Sequence, residues 1–258
     1  MKQSIRHATT RDIIVADMPW HHETWSAKGQ GRTASSHYGV MKPQDMLDLK
    51  PYMQAAFPGD SLLFCWTTGP QMDFTIELIE HWGWEFKTIA FTWIKFNTGF
   101  GDTVRKAVRT TAMLPFTDGD IVDVVQKATF TGMGHWSRAN AEFILAAKRG
   151  KGNLARVRRN VHSVIYAPRG AHSEKPDEAN KRIELMVRRP QDECFELFAR
   201  RQYPGWQCTG LELDGLDIHD ALANISDGWR WEPEEFNDSN DEHTDRNPVS
   251  ESSLGTTL

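Results

Sequence analysis

Cysteine is scarce in this chain. Cys65, Cys194 and Cys208 lie far apart, in odd number and in no C-x-x-C pair. That argues against a disulfide framework or a cysteine-built zinc site. Cys65 and Cys194 sit inside apolar runs and read as small buried hydrophobes. Long apolar runs are missing too: no stretch approaches the roughly 18 residues that a spanning helix needs. The opening MKQSIRHATTRD has charge but no apolar run behind it, so it does not read as a secretory signal. Internal repeats are absent. The expectation is a cytoplasmic protein with no membrane attachment.

Net charge is small, at -5, but unevenly spread. Residues 232–258 hold eight acids and one arginine, which account for -7 and leave the rest of the chain at +2. A basic run, KRGKGNLARVRRN at 148–160, then stands out, with a second cluster at Arg105, Lys106 and Arg109. Such runs read either as a solvated face or as a phosphate-contacting edge.

What is present is a core-forming composition. With 39% apolar residues and ten Trp in 258, disorder over the whole length is excluded. The length suits one sizeable domain, expected over 1–232, followed by an acidic and disordered tail over 233–258. Short β-branched or aromatic runs predict strands at 12–17, 61–67, 88–95, 141–148, 162–167 and 194–199. Helix patterns lie between them. One at 44–57 is interrupted by Pro51, one at 70–82 carries Phe74, Leu78 and Trp82 on a single stripe, and one follows Pro176. Residues 97–132 are polar, hold a short helix pattern at 103–114 and read as an insertion. Apolar strands alternating with amphipathic helices predict an α/β fold, a mostly parallel sheet covered by helices on both faces.

In such a sheet, ligands collect beyond the carboxyl ends of the strands. The first strand runs directly into Asp17-Met18-Pro19-Trp20. A planar ligand could stack on Trp20. A carboxylate and a backbone carbonyl fixed by Pro19 could accept both hydrogens of an exocyclic amino group. The same four residues also read as a strand ending in a turn, with a core Trp. Those two readings are evenly matched on these residues alone.

The wider pattern separates them. Asp17-Met18-Pro19-Trp20 resembles the D-P-P-W motif of the MT-A70 family of S-adenosylmethionine-dependent N6-adenine methyltransferases. Further blocks follow in that family's order over roughly 12–213. They are His37-Tyr38-Gly39-Val40-Met41, Leu63-Phe64-Cys65-Trp66, Trp82-Gly83-Trp84, Trp93-Ile94-Lys95 and Gly134-His135-Trp136. Next come Arg138, Asn140, Glu142, Arg149-Gly150, His172-Ser173-Glu174-Lys175-Pro176-Asp177-Glu178, Glu196-Leu197-Phe198-Ala199-Arg200 and Pro204-Gly205-Trp206.

The resemblance implies a Rossmann-like methyltransferase sheet in permuted motif order, with the catalytic motif ahead of the cofactor motif. It assigns Asp17 and the Pro19 region to the target amino group, and Trp20 to packing against the adenine. Tyr38, Trp136 and Arg138 become substrate contacts. Lys175 would pair with the cofactor carboxylate, while Glu196, Phe198, Arg200 and Glu212, with Asp17, would complete the cofactor site. The implied partner is nucleic acid, DNA favoured over RNA, in a bacterial or phage-infected cell, with room for a homodimer. Two alternatives remain: the same reaction on RNA, and a non-catalytic methyltransferase-like subunit that binds nucleic acid.

Two positions depart from the family pattern. Met18 replaces its first proline, and Gly210-Leu211-Glu212 replaces its G-N-[EQ]. Met18 can adopt proline-like backbone angles but is freer in the unfolded chain. The 97–132 insertion is a candidate for target recognition, a lid or decoration. Trp25 and Trp136 read as stackers or as structural, and the tryptophans at 66, 82, 84 and 93 as core. His21, His22, Glu23 and His37 lack H-x-x-x-H or H-x-H spacing, so no metal is expected.

Overall fold

A computed structural model describes residues 12–20, 40–111, 117–132, 136–152, 156–170, 174–187 and 194–228. Tyr38, the His21–His22 pair, Trp25 and the segment 233–258 lie outside the described residues. Seven strands form one sheet: β1 (Asp12–Ala16), β2 (Ser61–Thr67), β3 (Glu85–Phe96), β4 (Ala141–Arg149), β5 (Val164–Pro168), β6 (Cys194–Leu197) and β7 (Gln207–Thr209). Their spatial order is β5-β3-β4-β2-β1-β6-β7. Every pairing is parallel except the two made by β4, which runs against both β2 and β3. The fold is therefore an α/β Rossmann-like methyltransferase fold with one reversed strand. That reversal is invisible in the periodicity of β4, because a strand buried between two neighbours reads the same in either direction.

Alternation along the strands divides the core. Ile14, Ala16, Leu63 and Cys65 face one side, under the helices α1 (Pro43–Leu47), α2 (Lys50–Ala56), α3 (Met72–Trp82) and α7 (Ile218–Ser226). Ile13, Val15, Phe64, Trp66 and Trp93 face the other, under α6 (Asp177–Met186). Trp66, Trp82, Trp84 and Trp93 are all buried, as are Cys65, Cys194 and Cys208, which are free thiols. The break between α1 and α2 falls at Asp48-Leu49, ahead of Pro51, which occupies the first turn of α2. Proline thus starts the second helix, where its missing N–H has no partner to lose. Gly83, at φ 99°, ends α3 as its spacing suggests.

Residues 97–132, read from the sequence as an insertion, hold two helices, α4 (Phe100–Thr111) and α5 (Asp118–Ala128), which follow the carboxyl end of β3. Asn97 N–H donates to Ala128 O at 2.9 Å and Phe130 N–H to Lys95 O at 2.7 Å, so the excursion returns to where it left.

One member of the basic run has a structural role, while Lys151, Arg156, Arg158 and Arg159 are exposed. Arg149 pairs with Ser61 in the sheet register, at the amino end of β2 and on the edge opposite Asp17. Its guanidinium donates to Trp82 O at 3.0 Å, Gly83 O at 3.4 Å and Phe57 O, and lies 3.5 Å over the Trp84 ring. It ties the ends of α2 and α3 to the sheet. Lysine cannot reproduce that fork, so Arg149→Lys should lower unfolding free energy by about 2 kcal/mol, read by urea denaturation.

Candidate active site

β1 connects to β2 on one side, while β6 lies on its other side and continues to β7. The carboxyl ends of β1 and β6 therefore flank the point where the strand order reverses, the place at which open α/β sheets bind ligands. Asp17 follows β1 here, and Glu196, at the Val15 register, lies on β6. Both have the strand parity of Val15 and Cys194, which face α6. The chain turn before α6 brings in Lys175. Asp17, Lys175, Asn180, Glu196, Phe198 and Arg200 line one cavity.

A chain of alternating charges runs into this cavity. Lys175 Nζ lies 2.7 Å from Asp17 Oδ2 and 3.5 Å from Glu142 Oε2, and Glu142 also pairs with Lys95. The Lys175 and Asp17 side chains are only 15% and 17% exposed. Burial alone would lower the Lys175 pKa; the Asp17 and Glu142 carboxylates outweigh it and hold the ammonium above its ordinary value. Burial would likewise raise Glu142, but Lys175 and Lys95 keep it below the usual carboxylate range. The Lys175 ammonium donates to Asp17, is ion-paired with Glu142 and lies 5.3 Å over the Trp66 ring, on the lining of the cavity.

Deeper in the crevice, Asn180 Nδ2 donates to Glu196 Oε2 at 2.9 Å. Burial pushes the Glu196 carboxyl up to about 7, against the lowering effect of Asn180 and with a further push from Asp17. Raised from 4.5, Glu196 stabilises the fold fully below that pH, and the contribution is lost as pH rises through about 7. We expect unfolding free energy of the ligand-free protein to fall by about 3 kcal/mol between pH 4.5 and 8 from this group. Denaturant titrations at several pH values should show that slope in wild type and its loss in Glu196→Gln.

Phe198 turns the chain out of β6 at φ 61°, the one non-glycine residue among those described in the left-handed region. Gly210 packs against this turn so closely that a Cβ there would fall 2.2 Å from Ala199 O. A non-glycine residue held at positive φ costs of order 1–3 kcal/mol and persists only when its surroundings dictate it. Arg200 Nε lies 3.5 Å from Glu212 Oε1. Arg201 holds the opposite wall, pairing with Asp177 and, at 3.1 Å, with Glu174.

The structure thus brings Asp17, Lys175, Glu196, Phe198 and Arg200 together, with Glu212 joined through Arg200. Pro19 and Trp20 adjoin them. Trp20 N–H donates to Met18 O at 2.9 Å in a turn centred on Pro19, and Met41 N–H donates to Pro19 O at 3.0 Å. Trp20 is only 7% exposed and meets Phe74 edge-on at 6.2 Å, so most of its ring belongs to the core. Trp136 and Arg138 are exposed on the segment leading into β4. Because β4 is reversed, that segment lies on the same carboxyl rim as Asp17, away from the cavity lining.

Asn180 escapes the sequence reading, which names Lys95 and Glu142 without giving either a role. Asn180 had a signal: it shares the 180-183-187 stripe of α6 with buried Ile183 and Val187. A polar residue on such a stripe needs a buried partner.

The MT-A70 family model matches residues 11–115 and 121–212. A Mycoplasma protein, Type II methyltransferase M.MunI, is 30% identical over 216 residues, which cover 78% of this chain and 77% of that one. The Arabidopsis thaliana N(6)-adenosine-methyltransferase MT-A70-like is 28% identical across 81% of this chain and 24% of its own length. The human N(6)-adenosine-methyltransferase catalytic subunit METTL3 is 27% identical across 81% of this chain and 29% of its own. The chain thus spans about a quarter of these last two relatives. It belongs to the MT-A70 family and is a methyltransferase.

Proposed function

We propose that the protein transfers a methyl group from S-adenosylmethionine to N6 of adenine in DNA. The observation that carries this reading is the Asp17–Lys175 pair at the β1–β6 switch point, beside a buried carboxyl. The residues present suit that cofactor. Lys175 brings a positive charge to the cavity lining for its carboxylate, and the α6 start behind Lys175 favours anions. Glu196 and Glu212 offer acceptors for ribose hydroxyls, while Phe198 and Arg200 offer flat surfaces for a purine.

When bound, the cofactor supplies an electrophilic methyl group whose bond to sulfur breaks as the bond to N6 forms, leaving a neutral thioether. The chain supplies the rest. The amino nitrogen of adenine is a poor nucleophile because its lone pair is delocalised into the ring. The Asp17 carboxylate accepts one of its hydrogens, which favours a pyramidal nitrogen with a localised lone pair. The Pro19 carbonyl, which accepts from Met41 N–H at 3.0 Å and has a second lone pair, is the acceptor proposed for the other. Positive charge developing on the nitrogen is stabilised by Asp17 and by the carbonyl dipole. Asp17 is also the group positioned to take the released proton. A base in a duplex must first be flipped out, at a cost of a few kcal/mol.

DNA is favoured by the relative whose similarity extends over most of both chains, a type II methyltransferase. RNA is the second reading, favoured by the relatives named as adenosine methyltransferases. Transfer of labelled methyl from S-adenosylmethionine to equal amounts of duplex DNA, single-stranded DNA and RNA separates them. We expect label in DNA at least tenfold above RNA; the reverse order would assign the activity to RNA.

A further inference from the structure

We infer that the carboxyl rim formed by β3, β5 and the approach to β4 is a stacking platform for unpaired bases that flank the target adenine. This rests on the proposed function, since it concerns how the same polymer is held. β5 is an edge strand, and along it Ile165 and Ala167 are buried while Val164 and Tyr166 are exposed. Tyr166 is 61% exposed, far more than a tyrosine that serves only a core.

Its ring is also oriented. Phe96 lies nearly parallel to Tyr166, with centroids 5.7 Å apart, and is itself stacked on Phe100 at 4.0 Å with 4° between planes. Phe96 and Phe100 therefore hold Tyr166 at the end of a pre-built stack. Ordering the ring before a ligand arrives removes part of the entropy cost of binding. Beside it, the Arg169 guanidinium lies 3.7 Å over the Phe130 ring, and Arg169 is exposed. Fully exposed Trp136 stands on the same rim. Exposed aromatic faces interleaved with guanidinium groups match one ligand chemistry, bases to stack and phosphates to neutralise.

Position fits as well. Phe96 and Pro168 are register partners at the ends of strands parallel to β1, so the rim and Asp17 share one edge of the sheet. Four strand spacings separate β1 from β5. At about 4.8 Å each, that is a lateral separation of about 19 Å. Because Ile165 and Ala167 share the α6-side core with Val15, Tyr166 lies on the other sheet face from Asp17, so this is a minimum. A stacked strand advances about 3.4 Å per nucleotide, so the platform meets bases at least about five or six nucleotides from the target. Contact so remote from the reacting atom should act on substrate affinity and leave the cofactor site alone.

The test is fluorescence anisotropy of the full chain with a labelled 14-nucleotide single-stranded DNA holding one central adenine, and with a 4-nucleotide probe. Tyr166→Ala should weaken binding of the long probe about 5- to 20-fold and leave the short probe unchanged, with Tyr166→Phe within about twofold of wild type. Melting temperature and calorimetric cofactor affinity should match wild type in both variants. Equal affinity of wild type and Tyr166→Ala for the long probe, including absence of binding by both, overturns the platform. So does a dimer that Tyr166→Ala converts to monomer by light scattering, which would make the rim a contact between copies. Methyl transfer by wild type is scored separately. If the long probe responds as expected and no polymer is methylated, the proposed reaction fails while the platform stands.

Discussion

Asp17→Ala should reduce methyl transfer by at least about a thousandfold, measured as single-turnover rate with saturating cofactor and polymer. The size follows from what the carboxylate does. It is a fixed acceptor aimed at charge that develops only in the transition state, and loss of one such group typically costs about 10²–10³ in rate. Here the same oxygen pair also receives the proton, a further contribution of about 10²-fold or more. Asp17→Asn separates the roles: it keeps the shape and one acceptor but removes the charge, so its rate should lie between wild type and Asp17→Ala. The fold should survive, because Lys175 retains Glu142 at 3.5 Å. Cofactor binding by calorimetry should persist. Turnover retained in Asp17→Ala would move the reaction away from the end of β1.

Lys175→Met should act on two measurements at once. Cofactor affinity should fall about 10- to 100-fold, the range for losing a charge-assisted hydrogen bond to a carboxylate. Stability should fall too, by about 3 kcal/mol in urea unfolding, since removing one member of a buried ion pair strands the others. The stranded groups are Asp17 and Glu142, both mostly buried. Adding Glu142→Gln to Lys175→Met removes one stranded charge and should recover part of the stability without restoring affinity. That split distinguishes a ligand contact from a purely structural cation. Unchanged affinity in Lys175→Met would place the cofactor carboxylate elsewhere.

Much of this arrangement was legible in the chain. The second strand was readable to the residue, Ser61–Thr67, because the six apolar or β-branched residues Leu62–Thr67 between polar neighbours suit a strand's length and are too few for a helix. The Asp17 strand end and the 174–178 and 196–200 blocks were recognisable because site chemistry needs specific residue types at fixed places. The structure then brings those separated blocks to one switch point.

Other features leave weaker marks. β7, Gln207–Thr209, is three residues long, too short for any periodicity to register. α5 carries exposed Ile121, Val122 and Val125, so its apolar residues do not report a core-facing stripe. The Lys95–Glu142 pair joins residues 47 apart in sequence, and nothing local in either segment announces it. Trp20 shows the limit of the motif itself: Asp-x-Pro-Trp marks a strand end, but whether its indole faces ligand or core depends on Phe74, more than fifty residues on. Tyr38 and the tail lie outside the described residues, so those two readings stand as proposals.

The central claim is the reaction at Asp17, and its most direct test is the identity of the product. The full chain is incubated with radiolabelled S-adenosylmethionine and unmethylated DNA, the DNA is digested to nucleosides, and the label is separated by chromatography. The account predicts label in N6-methyldeoxyadenosine, lost in Asp17→Ala. Label in a methylated cytosine, or in the same adenine product with Asp17→Ala as active as wild type, would contradict it.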